Sequence, residues 1–188
     1  MSVKRLFDIF LAILALFFLL LPMAVLALLV RLTSPGPVLY WSQRVGRNNC
    51  LFLMPKFRSM RVDTPAVATH LLQNPTQYLT PIGSFLRRSS LDELPQLFNI
   101  LRGEMSLVGP RPALFNQHDL VAQRTACGVH VLTPGLTGWA QVNGRDELPI
   151  PDKVALDRVY LEQQSFFFDV RIIAMTFAKV FFRDGVTH

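Results

Sequence analysis

Ile9 to Val30 is an uncharged apolar run of about 22 residues, and no other feature restricts the fold as much. As a helix it is long enough to reach across a bilayer core. A buried helix of a soluble domain and a cleaved signal peptide are the other readings. The run exceeds the usual signal core and lacks a small-residue cleavage site, since Arg31-Leu32-Thr33-Ser34 follows it. Pro22 interrupts it about two thirds of the way along. A proline removes one backbone bond and clashes with the preceding turn, which predicts a kink there and frees the Phe18 carbonyl. Lys4 and Arg5 precede the run, and Arg31, Arg44 and Arg47 follow it. Basic residues on both flanks give the positive-inside rule no winner for a spanning helix. A re-entrant helix, broken at Pro22, keeps both flanks on one side; a kinked spanning helix is the competitor.

The remaining chain suits a single domain. Its 188 residues divide into an anchor over 1–33 and a domain over 34–188. The net charge of +6 suits an anionic partner: a membrane surface, a nucleotide or a nucleic acid. Cys50 and Cys127 form no metal or disulfide pattern, and His70, His118, His130 and His188 show no ligand spacing. Thr33-Ser34-Pro35-Gly36-Pro37 is a turn cluster that ends the anchor. Val38 to Trp41 reads as a short strand or an interfacial aromatic patch. Asn48-Asn49 predicts a hairpin turn into Leu51 to Met54. Lys56, Arg58 and Arg61 form a basic cluster that is either a solvated or lipid-facing patch or part of a site. Asp63 to Thr80 is a polar, proline-punctuated loop with a short helix.

Asn116 to Arg124 carries a weak helical signal, and Val129 to Leu132 is strand-like. Thr133 to Gly138 is a glycine-rich loop; beside Asn143-Gly144-Arg145 it could let backbone approach a phosphate. Ile150 to Gln164 predicts a helix. Phe166 to Phe182 predicts an amphipathic aromatic helix with Arg171 and Lys179 on it and Arg183 just beyond. That helix belongs either to the core or to the membrane interface. The expected class is α+β, helix-dominated, with few short strands.

Ser89 to Gly103 joins two adjacent carboxylates, Asp92 and Glu93, to a short helix whose buried face is Leu94, Leu97, Phe98 and Leu101. Gly103 is its expected stop. Ser90 and Glu93 fit a capping box, and acidic residues suit a first helical turn in any case. Pro95 complicates that frame: with Leu91 first in the helix, it would leave the Leu91 carbonyl unpaired. With Asp92 as the cap, Pro95 costs nothing, and Asp92 faces the helix N-terminus, which favours its ionised form. Neighbouring helical residues point about 100° apart, so the two carboxylates can hold different roles. Arg87 and Arg88 upstream and Gly109-Pro110-Arg111-Pro112 downstream bracket the pair with positive charge.

Four motifs in order carry a resemblance. They are Lys56-Phe57-Arg58-Ser59-Met60, Ser90 to Gln96 (Ser-Leu-Asp-Glu-Leu-Pro-Gln), Ser106 to Pro112, and Pro134 to Arg145. Together they resemble the bacterial sugar transferases, the monotopic polyprenyl-phosphate phosphoglycosyl transferases, over about Lys4 to Asp184. The resemblance implies a re-entrant membrane helix and a small catalytic domain on the cytoplasmic face of the bacterial inner membrane. It implies transfer of a sugar-1-phosphate from a UDP-sugar to polyprenyl (undecaprenyl) phosphate, with release of UMP.

In that reading Asp92 is the nucleophile, and Glu93 handles a proton or positions a metal. Mg²⁺ is the implied ion, with Asp92 its protein contact. Lys56, Arg58, Arg87, Arg88, Arg111 and Arg145 are candidates for phosphate, and Gln141 and Asn143 for nucleotide or sugar. The family usually carries Ser-Pro at the helix break, where this chain has Leu21-Pro22. The alternative is a catalytically inactive, membrane-anchored interaction protein of the same fold. A nucleic-acid binder is not expected, because no such motif is present. Homodimer formation stays open.

Overall fold

The computed structural model describes residues 2–65, 74–144 and 148–182. Its first element, α1, is a helix over Val3–Thr33, capped by the Ser2 hydroxyl. Asp8, Ala12, Leu16, Leu19, Met23, Leu26 and Val30 form one stripe at steps of three and four, the spacing of a single helix face. That stripe packs on the domain, in two clusters centred on Met54, Leu97 and Ile100, and on Phe57 and Leu86. The opposite face is apolar and open, with Phe10, Phe17, Leu21, Leu28 and Leu32 all exposed. A buried helix of a soluble core is therefore the wrong reading of this run. Pro22 lies inside α1 and does not end it. One missing N–H removes one bond, and the turns on either side keep theirs.

Both ends of α1 are fastened to the same domain. At the start, Lys4 Nζ bonds Asp169 Oδ2 at 2.6 Å and the Val108 carbonyl at 3.0 Å. Arg5 donates to the carbonyls of Ile100 and Leu101. Buried Asp8 accepts from Ser106 Oγ at 2.8 Å and from the Leu107 amide at 3.1 Å. At the far end the chain turns through Ser34–Pro37, and buried Arg58 donates to Ser34 Oγ and to the carbonyls of Ser34 and Pro35. Gly36, at φ +113°, is required there, because a Cβ would stand 2.1 Å from Arg58 Nη1.

Strands β1 (Leu39–Val45) and β2 (Leu51–Phe57) form the expected hairpin, with Asn48 and Asn49 both at positive φ in its turn. β4 (Ala113–Leu114) pairs with the other edge of β1, giving the antiparallel order β2-β1-β4. β3 (Ser106–Val108) runs parallel to β5 (Gly135–Thr137). Two expectations need correction here. The glycine-rich stretch supplies β5 instead of an open loop. Val129 to Leu132 is a 3₁₀ turn over Val129–Val131, closed by a bond from the Leu132 amide to the Val129 carbonyl and entered through Gly128 at φ +77°. The turn geometry overrides the β-branched residues there.

The helices are α2 (Gly83–Arg88), α3 (Leu97–Arg102), α4 (His118–Ala126), α5 (Trp139–Val142), α6 (Ile150–Gln163) and α7 (Phe166–Phe182). One face of α7 belongs to the core and the other is exposed and apolar. Phe168 and Ile172 pack against Tyr160, Trp139 and Val108. Phe166, Phe167, Val170 and Phe177 face outward, Phe167 with 83% of its surface exposed. Phe7 of α1 meets Phe166 edge-on at 5.0 Å, so the open faces of the two helices adjoin. The class is α+β and helix-dominated, as the sequence predicts.

Removing the Asp8 carboxylate leaves the Ser106 hydroxyl and the Leu107 amide buried without acceptors, and each such loss costs about 1–3 kcal/mol. Asp8→Ala is expected to lower the unfolding midpoint in lipid nanodiscs beyond Asp8→Asn, whose single amide oxygen can still accept from the Leu107 amide while its amino group donates to the Ser106 hydroxyl. Equal midpoints for the two variants would show that this fastening contributes nothing.

Candidate active site

The carboxylate pair stands on a turn that neither expected cap describes. Ser90 is left-handed at φ 56°, with no side-chain capping bond, and Leu91–Gln96 is a 3₁₀ turn. A non-glycine residue there is strained by about 1–2 kcal/mol. Pro95 sits before the first residue of α3, so α3 loses no bond to it, and Gly103 closes α3 at φ +86° as expected. Freed from capping, Glu93 turns to cations. Its Oε1 accepts from Lys56 Nζ of β2 at 2.7 Å and from Arg111 Nη2, between β3 and β4, at 2.9 Å. Arg87 of α2 acts electrostatically on both carboxylates, and its Nε donates to Ser59 Oγ.

The two carboxylates are held differently. Asp92 is 7% exposed, and among the described residues none donates a hydrogen bond to its carboxylate. Burial pushes its carboxyl above the ordinary aspartate range, and the charges of Lys56, Arg87 and Arg111 only partly oppose this. Burial pushes Glu93 up too, but Arg111 and Lys56 outweigh it and hold Glu93 far below the usual glutamate range. Burial lowers the Lys56 ammonium, against the pull of Glu93. A pair of groups driven apart in this way marks a division of chemical roles. One carboxylate is fixed in its ionised state by bound cations, while the other is buried and unengaged.

The structure gathers Lys56, Arg87 and Arg111 around Asp92 and Glu93. Arg58 is not at the pair: its guanidinium is committed to the turn after α1. Arg88 is exposed on α2 and acts on neither carboxylate. Asn143 is exposed and bonds back to the Trp139 carbonyl at 2.7 Å. Gln141 has both amide atoms buried without a partner, and Arg145 lies outside the described residues. The glycines of the two downstream motifs serve backbone packing. A Cβ at Gly135 would stand 2.1 Å from the Gly109 nitrogen, and one at Gly138 2.1 Å from the Gly109 oxygen.

Among the described residues no group of three or more His, Cys, Asp or Glu could enclose a metal. Of the two carboxylates of the pair, Asp92 is the one without a hydrogen bond, which fits an ion held mainly by a substrate's phosphates. Gln96, 2% exposed with its Nε2 unpartnered, also belongs to the site's turn. Only its place in the motif with Asp92 could have pointed to it.

The model of the bacterial sugar transferase family matches residues 1–183. The chain is 44% identical, over 94% of its length, to a UDP-glucose:undecaprenyl-phosphate glucose-1-phosphate transferase of Xanthomonas campestris pv. campestris, and covers 38% of that protein. It is 41% identical, over 95% of its length, to a transferase of the same description in Escherichia coli (strain K12), covering 40% of it. It is 40% identical, over 99% of its length, to the uncharacterized sugar transferase EpsL of Bacillus subtilis (strain 168), covering 91% of it. The chain thus spans about two fifths of two of these relatives and nearly all of the third. With the motifs, the fold and the match over nearly its whole length in agreement, the chain belongs to the bacterial sugar transferase family.

Proposed function

We propose that the protein transfers a sugar-1-phosphate from a UDP-sugar to undecaprenyl phosphate and releases UMP. The observation that carries this is the division between Asp92 and Glu93: a buried, unengaged carboxylate beside one locked to two cations. The names of the relatives support the substrates.

The reaction runs in two halves. An Asp92 oxygen attacks the β-phosphorus; the bond from that phosphorus to the bridging oxygen breaks, and UMP departs. The sugar phosphate is left as an acyl phosphate on Asp92. A phosphate oxygen of the lipid then attacks the same phosphorus, and Asp92 regains its carboxylate. Glu93, held ionised, is no proton donor near neutral pH; it aims Lys56 and Arg111 at the phosphate oxygens. Arginine suits that task through paired N–H bonds to phosphate. Asp92 would hold Mg²⁺ together with the diphosphate, where the ion would neutralise phosphate charge.

The anchor is read as re-entrant, with the domain on the cytoplasmic face of the bacterial inner membrane. Support comes from α1 itself: its outward face is apolar, and both of its ends are tied to one domain. A helix crossing the bilayer would have to release one set of ties. A cysteine placed at Ser2 or at Gln43, both exposed, should resist an impermeant thiol reagent applied to intact cells in both cases. Labelling of the first but not the second means that the helix spans.

Incubation with UDP-glucose, undecaprenyl phosphate and Mg²⁺ should release UMP, and excess chelator should stop it. Rapid quenching with the lipid omitted should leave a phosphosugar on Asp92, seen by mass spectrometry. Asp92→Asn should show neither the adduct nor turnover; full turnover by that variant would replace the covalent route with direct displacement. A panel of UDP-sugars yielding no UMP would favour the inactive interaction protein.

The acid limb of the pH profile should belong to Asp92. The residue acts ionised, and its carboxyl is raised, so kcat/KM should fall on acidification at a pH above the ordinary aspartate value of about 3.9. Glu93 stays ionised over this window and adds no limb. A limb at or below the ordinary value would contradict the buried state of Asp92.

A further inference from the structure

Pro110-Arg111-Pro112 has little means of holding its own shape. Two of its three residues lack an N–H, so its backbone can be fixed mainly through its carbonyls. All three carbonyls accept bonds from distant elements: Pro110 from the Gly135 amide of β5 at 2.9 Å, Arg111 from Arg124 Nη1 of α4 at 2.8 Å, and Pro112 from Arg44 Nη1 of β1 at 3.2 Å. Arg124 is itself fixed. Its Nε and Nη2 both donate to Asp157 Oδ2 of α6, at 2.9 and 2.7 Å. Asp157 is 1% exposed and the Arg124 side chain 11%. From there Arg111 reaches Glu93 Oε1 at 2.9 Å.

We infer that the Arg124–Asp157 pair is a positioning device for the reaction: it sets the backbone of Arg111 and so the direction in which that guanidinium meets Glu93 and the substrate phosphates. The inference rests on the function proposed above for Arg111. Neither member reaches the carboxylate pair. A planar guanidinium is required, because one face of Arg124 must grip Asp157 while its remaining amino group holds the Arg111 carbonyl. A buried ion pair is weak evidence for a stabilising role, since well-packed apolar replacements often fold as well or better. That difference separates positioning from support.

Two variants test it. Arg124→Met with Asp157→Leu removes the pair without leaving a lone buried charge. Arg124→Lys keeps the charge against Asp157 but loses the fork. In nanodiscs, both should unfold near the native midpoint while kcat/KM for UMP release from UDP-glucose falls about tenfold or more. Hydrogen exchange at the Arg111 guanidinium, followed by arginine side-chain NMR, should quicken in both, while the amides of α3 keep their protection.

The exchange readout needs no turnover. Native exchange at Arg111 in a folded variant overturns the inference, whatever the activity. A native protein that releases no UMP overturns the proposed function and the positioning role that depends on it. Loss of rate only in proportion to lost folded protein, with rate recovered when the folded fraction is restored by cooling, would assign the pair a supporting role and also overturn the inference.

Discussion

A helix with a wholly apolar outer face gains nothing in water by staying against a polar domain at both ends, so the attachment of α1 must be supplied by specific bonds. It is supplied by three of its first six residues. Lys4, Arg5 and Asp8 reach α7, α3 and β3 respectively. Arg5 also satisfies two carbonyls at the end of α3, where a helix leaves such groups unpaired. Arg58 performs the same service at the other end, binding the carbonyls of the turn that follows α1. Between these ties the stripe from Ala12 to Val30 packs by apolar contact. The result is a domain with an oily keel along one side, continued by the outward phenylalanines of α7. The position of everything else relative to a membrane follows from that attachment.

A second asymmetry lies between neighbours in the chain, Asp92 and Glu93. An α-helix begun at Leu91 would have placed Glu93 in a capping role. The left-handed Ser90 and the 3₁₀ turn release it, and two cations take it instead. Asp92, one residue away, receives no such partner among the described residues. Identical chemical groups thereby acquire opposite shifts, through bound charge at one position and burial at the other. The strain at Ser90 is the local cost of that separation, of the kind found where function overrides the preferred backbone.

Much of this was legible in the chain. The hairpin at Asn48-Asn49, the stop at Gly103, the lengths of α6 and α7, and the grouping of Lys56, Arg87 and Arg111 with the carboxylates all follow from local pattern or motif. The misreadings share a cause. Arg58 sits among basic residues and looks like a phosphate ligand, yet its destination is set by a turn more than twenty residues earlier. The glycines at 135 and 138 look like part of a phosphate loop, yet they let the backbone of Gly109 come into contact with theirs. Arg124 and Asp157 are 33 residues apart and carry no mark in the sequence, because nothing local requires their pairing. Short-range rules report turns and faces; they do not report which distant carbonyl a guanidinium will find.

The strand that receives the anchor is also the strand that leads to Arg111. Asp8 holds the hydroxyl of Ser106 and the amide of Leu107, and Lys4 holds the carbonyl of Val108. Gly109, Pro110 and Arg111 follow without an intervening element. Gly109 is pressed between the backbones of Thr133 and Gly135, so little slack separates β3 from the arginine. The first turns of α1 hold residues 106–108 and the Arg124–Asp157 pair holds the Arg111 carbonyl, so both act on one short segment. The attachment of α1 and the position of Arg111 are two ends of a single piece of backbone. That short run of backbone ties the position of the Arg111 guanidinium to the helix that carries the apolar outer face.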